Sequence, residues 1–134
     1  MHLYSGMKLF RYLIIILAFA SCSDNDFYVI RKDYINIVES NIPDTIGVYQ
    51  LAQITAKAEA YNSCYRDLYL ILKKSSDFEY TLRGYGTFES HGICPYGIIG
   101  IDTIIDFYPT KTGMYLFHVM GKPDSIIIDT MIVK

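Results

Sequence analysis

The sequence has no tryptophan, and among its 134 residues only three cysteines, three histidines and four prolines. The cysteines and histidines are too few and too scattered for a zinc site, so no metal and no cofactor is expected. No glycine-rich loop opens a helix, so no phosphate cradle is expected. Serines such as Ser90 sit in no Gly-x-Ser-x-Gly elbow, and no nucleophile of that class is in view. Basic residues are not in excess: 12 Lys and Arg face 14 Asp and Glu, a net charge of −2. That balance leaves no electrostatic footprint for nucleic acid. No apolar run approaches the roughly 20 residues that a membrane-spanning helix needs. The length suits one domain and not two ordinary ones, and no internal repeat or low-complexity tract appears.

The first twenty residues differ from the rest. Lys8 and Arg11 precede an unbroken apolar run from Tyr12 to Ala20, and every acidic residue lies after Cys22. A basic segment followed by an apolar stretch of this length is the pattern of a secretory signal. The run ends in Phe19-Ala20-Ser21-Cys22, which resembles the lipobox of bacterial lipoproteins, with Phe19 where Leu, Val or Ile is usual. That resemblance implies a signal peptide over 1–21, with Met7 as an alternative start, and lipidation of Cys22. An ordinary signal peptide is the alternative. Residues 22–26 continue as Cys22-Ser23-Asp24-Asn25-Asp26, an acidic tether similar to the surface-export segment of Bacteroidota lipoproteins. The expected location is the cell envelope, lipid-anchored at the outer membrane and surface-exposed, with the membrane as one partner.

Residues 27–134 read as strands, because period two dominates. Leu68, Leu70 and Leu72 alternate with Tyr69, Ile71 and Lys73. Phe78, Tyr80 and Leu82 alternate with Glu79, Thr81 and Arg83. Ile99, Ile101, Thr103, Ile105 and Phe107 alternate with Gly100, Asp102, Ile104 and Asp106. Tyr115, Phe117 and Val119 alternate with Leu116 and His118. Phe27 to Ile30 and Tyr34 to Val38 are two shorter candidates. The alanine-rich segment Gln50 to Tyr61 favours helix by propensity, yet Ala52, Ile54, Ala56, Ala58 and Ala60 alternate with polar residues over nine positions, so it reads as a strand whose small side chains let a facing sheet come close. The closing run, Ser125 to Val133, is β-branched and nearly all apolar, as a well-covered strand would be. Gly84-Tyr85-Gly86 reads as a bulge or turn. About seven to nine strands in this length point to an all-β, two-sheet antiparallel sandwich, with a small closed barrel as rival.

Pro109-Thr-Lys-Thr-Gly113-Met-Tyr115-Leu-Phe117-His-Val119 resembles the penultimate strand of immunoglobulin-like domains. The resemblance implies a tyrosine corner at Tyr115, with Phe117 where antibody domains place a core cysteine. The chain as a whole resembles the small single-domain lipoproteins of Bacteroidota envelopes.

With Cys22 assigned to lipid, Cys64 and Cys94 remain. Both lie in turn-like sequence, and export to an oxidising compartment makes them a disulfide candidate. His91 near Cys94 is the one hint of a reactive thiol. Asp102 and Asp106, four apart on a strand, would stand about 13 Å apart, wide for a carboxylate pair acting on one bond. Tyrosine is abundant, at 13 residues, and exposed aromatic rings stack on sugars; Tyr65, Tyr85 and Tyr96 are the candidates for ligand stacking. Strand propensity also favours tyrosine. Asp followed by Thr or Ser and an apolar residue occurs at Asp44-Thr45-Ile46, Asp102-Thr103-Ile104, Asp124-Ser125-Ile126 and Asp129-Thr130-Met131. It resembles the O-glycosylation acceptor of exported Bacteroidota proteins, which implies sugar at Thr45 and Ser125 first, because both follow turn-like sequence. The resulting expectation is a lipid-anchored, non-catalytic binding or scaffolding protein whose partner is a glycan or an envelope protein. A carbohydrate-binding accessory lipoprotein is the first alternative, and a hydrolase with a loop site around His91 or His118 is the second.

Overall fold

The computed structural model describes residues 27–122 and 125–134. The expected signal segment 1–21, Cys22 and the tether 22–26 lie outside the described residues, as does Asp124. Eight strands and no helix are present among the described residues: β1 Val29–Asn41, β2 Thr45–Ile46, β3 Ala52–Asn62, β4 Tyr65–Ser76, β5 Glu79–Ser90, β6 Tyr96–Phe107, β7 Gly113–Met120 and β8 Ile126–Val133. The two short runs at the start are one long strand, β1.

The alternation seen in the sequence governs burial. Ala52, Ile54, Ala56, Ala58 and Ala60 are all buried, so strand pattern overrides helix propensity in β3. Tyr115, Phe117 and Val119 of β7 are buried, with Leu82 of β5 and Met131 and Val133 of β8. Tyr80, Phe107 and Phe117 form the aromatic centre, with Tyr80–Phe107 centroids 4.9 Å apart and Phe107–Phe117 centroids 5.4 Å apart, both edge to face. That is the favoured arrangement for ring quadrupoles.

The expected two-sheet antiparallel sandwich holds only at the level of an all-β fold. The strands follow one hydrogen-bonded path, β2-β8-β7-β5-β1-β3-β6, with β4 on the far edge of β5, and the main sheet curls into a half-barrel. Two of the pairings are parallel, β5 with β7 and β2 with β8. The cause of the single path is β1. Its first half, Val29 to Ile35, pairs with β5, and its second half, Asn36 to Asn41, pairs with β3. A register shift between Ile37 and Glu39 marks the bend, as expected where an irregularity increases local twist.

Gly84 and Gly86 are neither a bulge nor a turn; they are buried residues in the middle of β5. A Cβ at Gly84 would stand 2.7 Å from Ile35 Cγ1, 3.0 Å from the Ile35 carbonyl oxygen and 3.4 Å from Ala58 Cβ. The glycine therefore permits close approach of both β1 and the facing β3.

The closing strand is less covered than its composition implies. Ile126, Ile127 and Ile128 are each more than half exposed, because β2 pairs only with Ile132 and Val133. Along this open edge the Thr130 amide donates to Asp129 Oδ1 at 2.8 Å. A carboxylate that occupies an edge amide and carries charge is a guard against edge-to-edge pairing.

Gly84→Ala should lower stability by about 1–3 kcal/mol, the usual cost of forcing a side chain into a packed site. Urea unfolding of the two proteins checks this; equal midpoints would show that β1 can move away without loss.

Candidate functional site

On the outer face of β1, β5 and β4, three tyrosines stand directly across from one another. Tyr34 pairs with Tyr85, and Tyr85 pairs with Tyr69. Their ring centroids are 5.3 Å and 5.4 Å apart, the first pair tilted and the second stacked. Cross-strand aromatic pairs of this kind contribute about 0.2–1 kcal/mol each. They also make a ridge across the sheet. Tyr34 is 61% exposed, and the Arg83 guanidinium carbon lies 4.5 Å from its ring centroid. On the far side of the ridge Lys32 Nζ lies 5.7 Å from the Tyr69 ring.

Four depressions meet at Tyr34, the smallest of about 100 Å³ beside Asn36, Glu59, Tyr61 and Tyr65. One of about 250 Å³ lies beside Lys32, Asp33, Tyr69 and Tyr85. A groove of about 600 Å³ runs from Tyr34 and Tyr85 past Arg83 and Thr81 to Lys73 and Lys74. A cleft of about 400 Å³ opens where β1 parts from β7, between Asn36 and Met120, with Arg83 and Ser125 in its wall. The groove and the cleft fall in the volume range of small-molecule sites, and the depression beside Lys32 is smaller. Lys32, Lys73 and Arg83 form no ion pair among the described residues, whereas Lys74 pairs with Asp77 at 3.1 Å. The Ser75 and Thr81 hydroxyls are 3.1 Å apart in the groove wall.

The sequence candidates fall in different places. Tyr85 is the centre of the ridge. Tyr65 is on the opposite face of the sheet, because a register shift between Arg66 and Tyr69 separates the two rows. Its hydroxyl donates to Asp33 Oδ2 at 3.2 Å and its ring meets Phe88 edge-on; burial foremost, with the Asp33 charge, pushes its phenol above the ordinary value. Tyr96 is 89% exposed on β6 and pairs with Asn62. The three are therefore not one platform. Tyr34 and Tyr69 were missed because their partnership is a matter of register, which composition does not carry; the available signal for Tyr69 was its alternation with Leu68, Leu70 and Leu72.

Cys64 and Cys94 lie at disulfide distance, with Sγ atoms 2.13 Å apart and Cα atoms 5.4 Å apart. They tie the β3–β4 turn to the loop before β6, where Ser63 N also donates to the Pro95 carbonyl at 3.1 Å. The Tyr115 hydroxyl donates to the Lys111 carbonyl at 2.9 Å. Thr45 and Ser125 are exposed. His91 lies against Tyr28 with the rings tilted and their centroids 4.8 Å apart, and Tyr28 donates to Glu89. Glu89 is already engaged: the Arg66 hydrogen bond foremost, then that from Tyr28, holds its carboxyl below the usual range. His118 stands beside Thr81 and Ile128. Asp102 and Asp106 are both exposed and paired opposite Lys57 and Gln53. Among the described residues, no three of His, Cys, Asp and Glu are placed to hold a metal ion, and no helix is long and apolar enough to cross a membrane.

Compared with known families, proteins and structures, the chain matches no family model, no curated protein and no solved structure.

Replacing both Cys64 and Cys94 by alanine should cost about 3.5–4 kcal/mol in the chain-entropy account of cross-linking. Thermal unfolding read by circular dichroism checks this. An unchanged midpoint would mean that the Ser63–Pro95 contact alone holds the two loops.

Proposed function

We propose that this chain is a lipid-anchored, non-catalytic binding protein of the cell envelope, and that it binds carbohydrate on the outer face of β1, β5 and β4. The observation that carries this reading is the Tyr34–Tyr85–Tyr69 ridge with a depression on either side. Sugar rings present apolar C–H faces and a rim of hydroxyls. Tyrosines supply both the apolar surface and a polar tip, and the Ser75, Thr81 and Asn36 side chains around the ridge supply donors and acceptors. Concave, partly apolar sites with a few convergent polar groups are where small ligands are held.

Anchoring is carried by the Phe19-Ala20-Ser21-Cys22 segment and its acidic tether. Lipid on Cys22 would hold the domain at the outer membrane, with residues 23–26 as the spacer. O-linked sugar at Thr45 and Ser125 belongs to the same reading, since both hydroxyl-bearing residues are exposed. So does an immunoglobulin-like character for the all-β domain, for which the Tyr115–Lys111 hydrogen bond is the support.

Affinity electrophoresis through gels containing single polysaccharides tests the binding. The wild-type protein should be retarded by at least one of them, and Tyr85→Ala, checked for folding by circular dichroism, should run freely. No retardation across neutral and acidic polysaccharides would reject the carbohydrate reading. For the anchor, Cys22→Ala should leave the membrane fraction or stay unprocessed, and a wild-type protein wholly in the soluble fraction would reject it.

A further inference from the structure

Resting on the carbohydrate reading of the same face, we propose that the ligand is an acidic oligosaccharide, one whose sugar units carry carboxylates, and that Lys32, Lys73 and Arg83 select it. Charge distribution is the basis. The chain from Cys22 onward has 10 − 14 = −4 net charges, counted from the Lys, Arg, Asp and Glu of that stretch. A mildly acidic domain has no general attraction for anions. Yet the walls of the groove beyond Tyr34 and Tyr85 hold Lys73, Lys74 and Arg83 and, among the described residues, no carboxylate. Lys73 and Arg83 are also without an ion pair among the described residues. Of the acidic side chains nearby, Asp77 pairs with Lys74 and Lys111, Glu89 with Arg66 and Tyr28, and Asp33, which lines the depression beside Lys32 and the cleft that Arg83 reaches, pairs with Arg31 at 3.2 Å.

Arg83 is the specificity-determining group. Its guanidinium lies over the Tyr34 ring, and stacking on an aromatic face restrains a planar fork that suits a carboxylate bidentately. It also reaches both the groove and the cleft beside β7. A pyranuronate seated in the groove would set its carboxylate on Arg83 and its hydroxyls against Ser75 and Thr81. Lys32 lies on the other side of the ridge. It pairs with Thr87 across the sheet, and Thr87 is four residues from Arg83 along β5, about 13 Å. Cations on both sides of an aromatic ridge fit a chain with repeated negative groups better than a single small anion. The concave walls and paired hydroxyls favour a sugar chain over a flat anionic membrane, which is an outcome of the test.

The probes are polygalacturonate fragments, alginate fragments, the same polygalacturonate with its carboxylates reduced to alcohols, and vesicles of phosphatidylglycerol. Titration calorimetry on the wild-type protein should show binding to at least one uronate chain. Binding to the reduced polymer should be at least tenfold weaker, and affinity should fall as salt is raised. Lys73→Gln with Arg83→Gln should weaken uronate binding at least tenfold, and Arg83→Lys should restore only part, because a lysine cannot form the fork. Binding to carboxylate and reduced polymers alike, with Tyr85→Ala abolishing both, would overturn this inference and leave the carbohydrate reading standing. Binding to neither would overturn both. Binding to the vesicles but to no sugar chain would replace both with membrane contact.

Discussion

Between Leu82 and Gly84 one edge of β5 changes partner. Up to Leu82 that edge pairs in parallel with β7, and from Gly84 onward it pairs antiparallel with β1. Two strands cannot share one edge at the same level, so β1 has to leave at Ile35 and find a second partner, β3. A side chain on residue 84 would collide with Ile35 at the point of departure and would come into contact with Ala58 across the interior. Glycine at that position is what lets the fork close on itself. The curl of the sheet, the single path through the strands and the interior built on small residues in β3 all follow from it.

The fork acts on the outer face as well. Because β1 and β5 are paired up to Ile35 and Gly84, Tyr34 is held in register with Tyr85 directly beside the point of divergence. Beyond it β1 and β7 separate, and the cleft between them opens under Tyr34 and Arg83. The ridge is anchored on the paired side and its concavities lie on the parting side. Alternation assigns Gly84 and Gly86 to the interior and Arg83 and Tyr85 to the outer face, so the residues that shape the core and those that form the ridge and its walls interleave along one strand. At the opposite end the Cys64–Cys94 pair and the Ser63–Pro95 contact hold the β3–β4 turn against the loop before β6.

Much of this was legible in order and little of it in pairing. The all-β character, the inward alanines of β3, the alternation of β6 and β7 and the cysteine pair in two turns could be read because each depends on local periodicity or on turn chemistry. The fork could not, since it depends on two strands, β1 and β7, some eighty residues apart, competing for one edge. Without it Gly84 and Gly86 looked like turn residues, and the half-barrel looked like two separate sheets. The triple isoleucine of β8 suggested full coverage, because composition cannot tell a strand between neighbours from one whose partner is two residues long. Of the aromatic candidates, Tyr85 was identified and Tyr34 and Tyr69 were not. Tyr65 was placed with them although one irregularity at Asp67, where the backbone takes φ 51°, turns it to the other face.

The same register dependence makes the account open to direct mapping. Amide nitrogen–proton correlation spectra, recorded as a polygalacturonate fragment is added, report which backbone positions sense the ligand. The largest shifts are predicted at Tyr34, Lys73, Arg83 and Tyr85, with Asn36 and Met120 following as the cleft is reached. Shifts confined to β6 or to the open edge of β8, with the amides around Tyr34 unmoved, would contradict the claim that the parting of β1 from β7 creates the binding face.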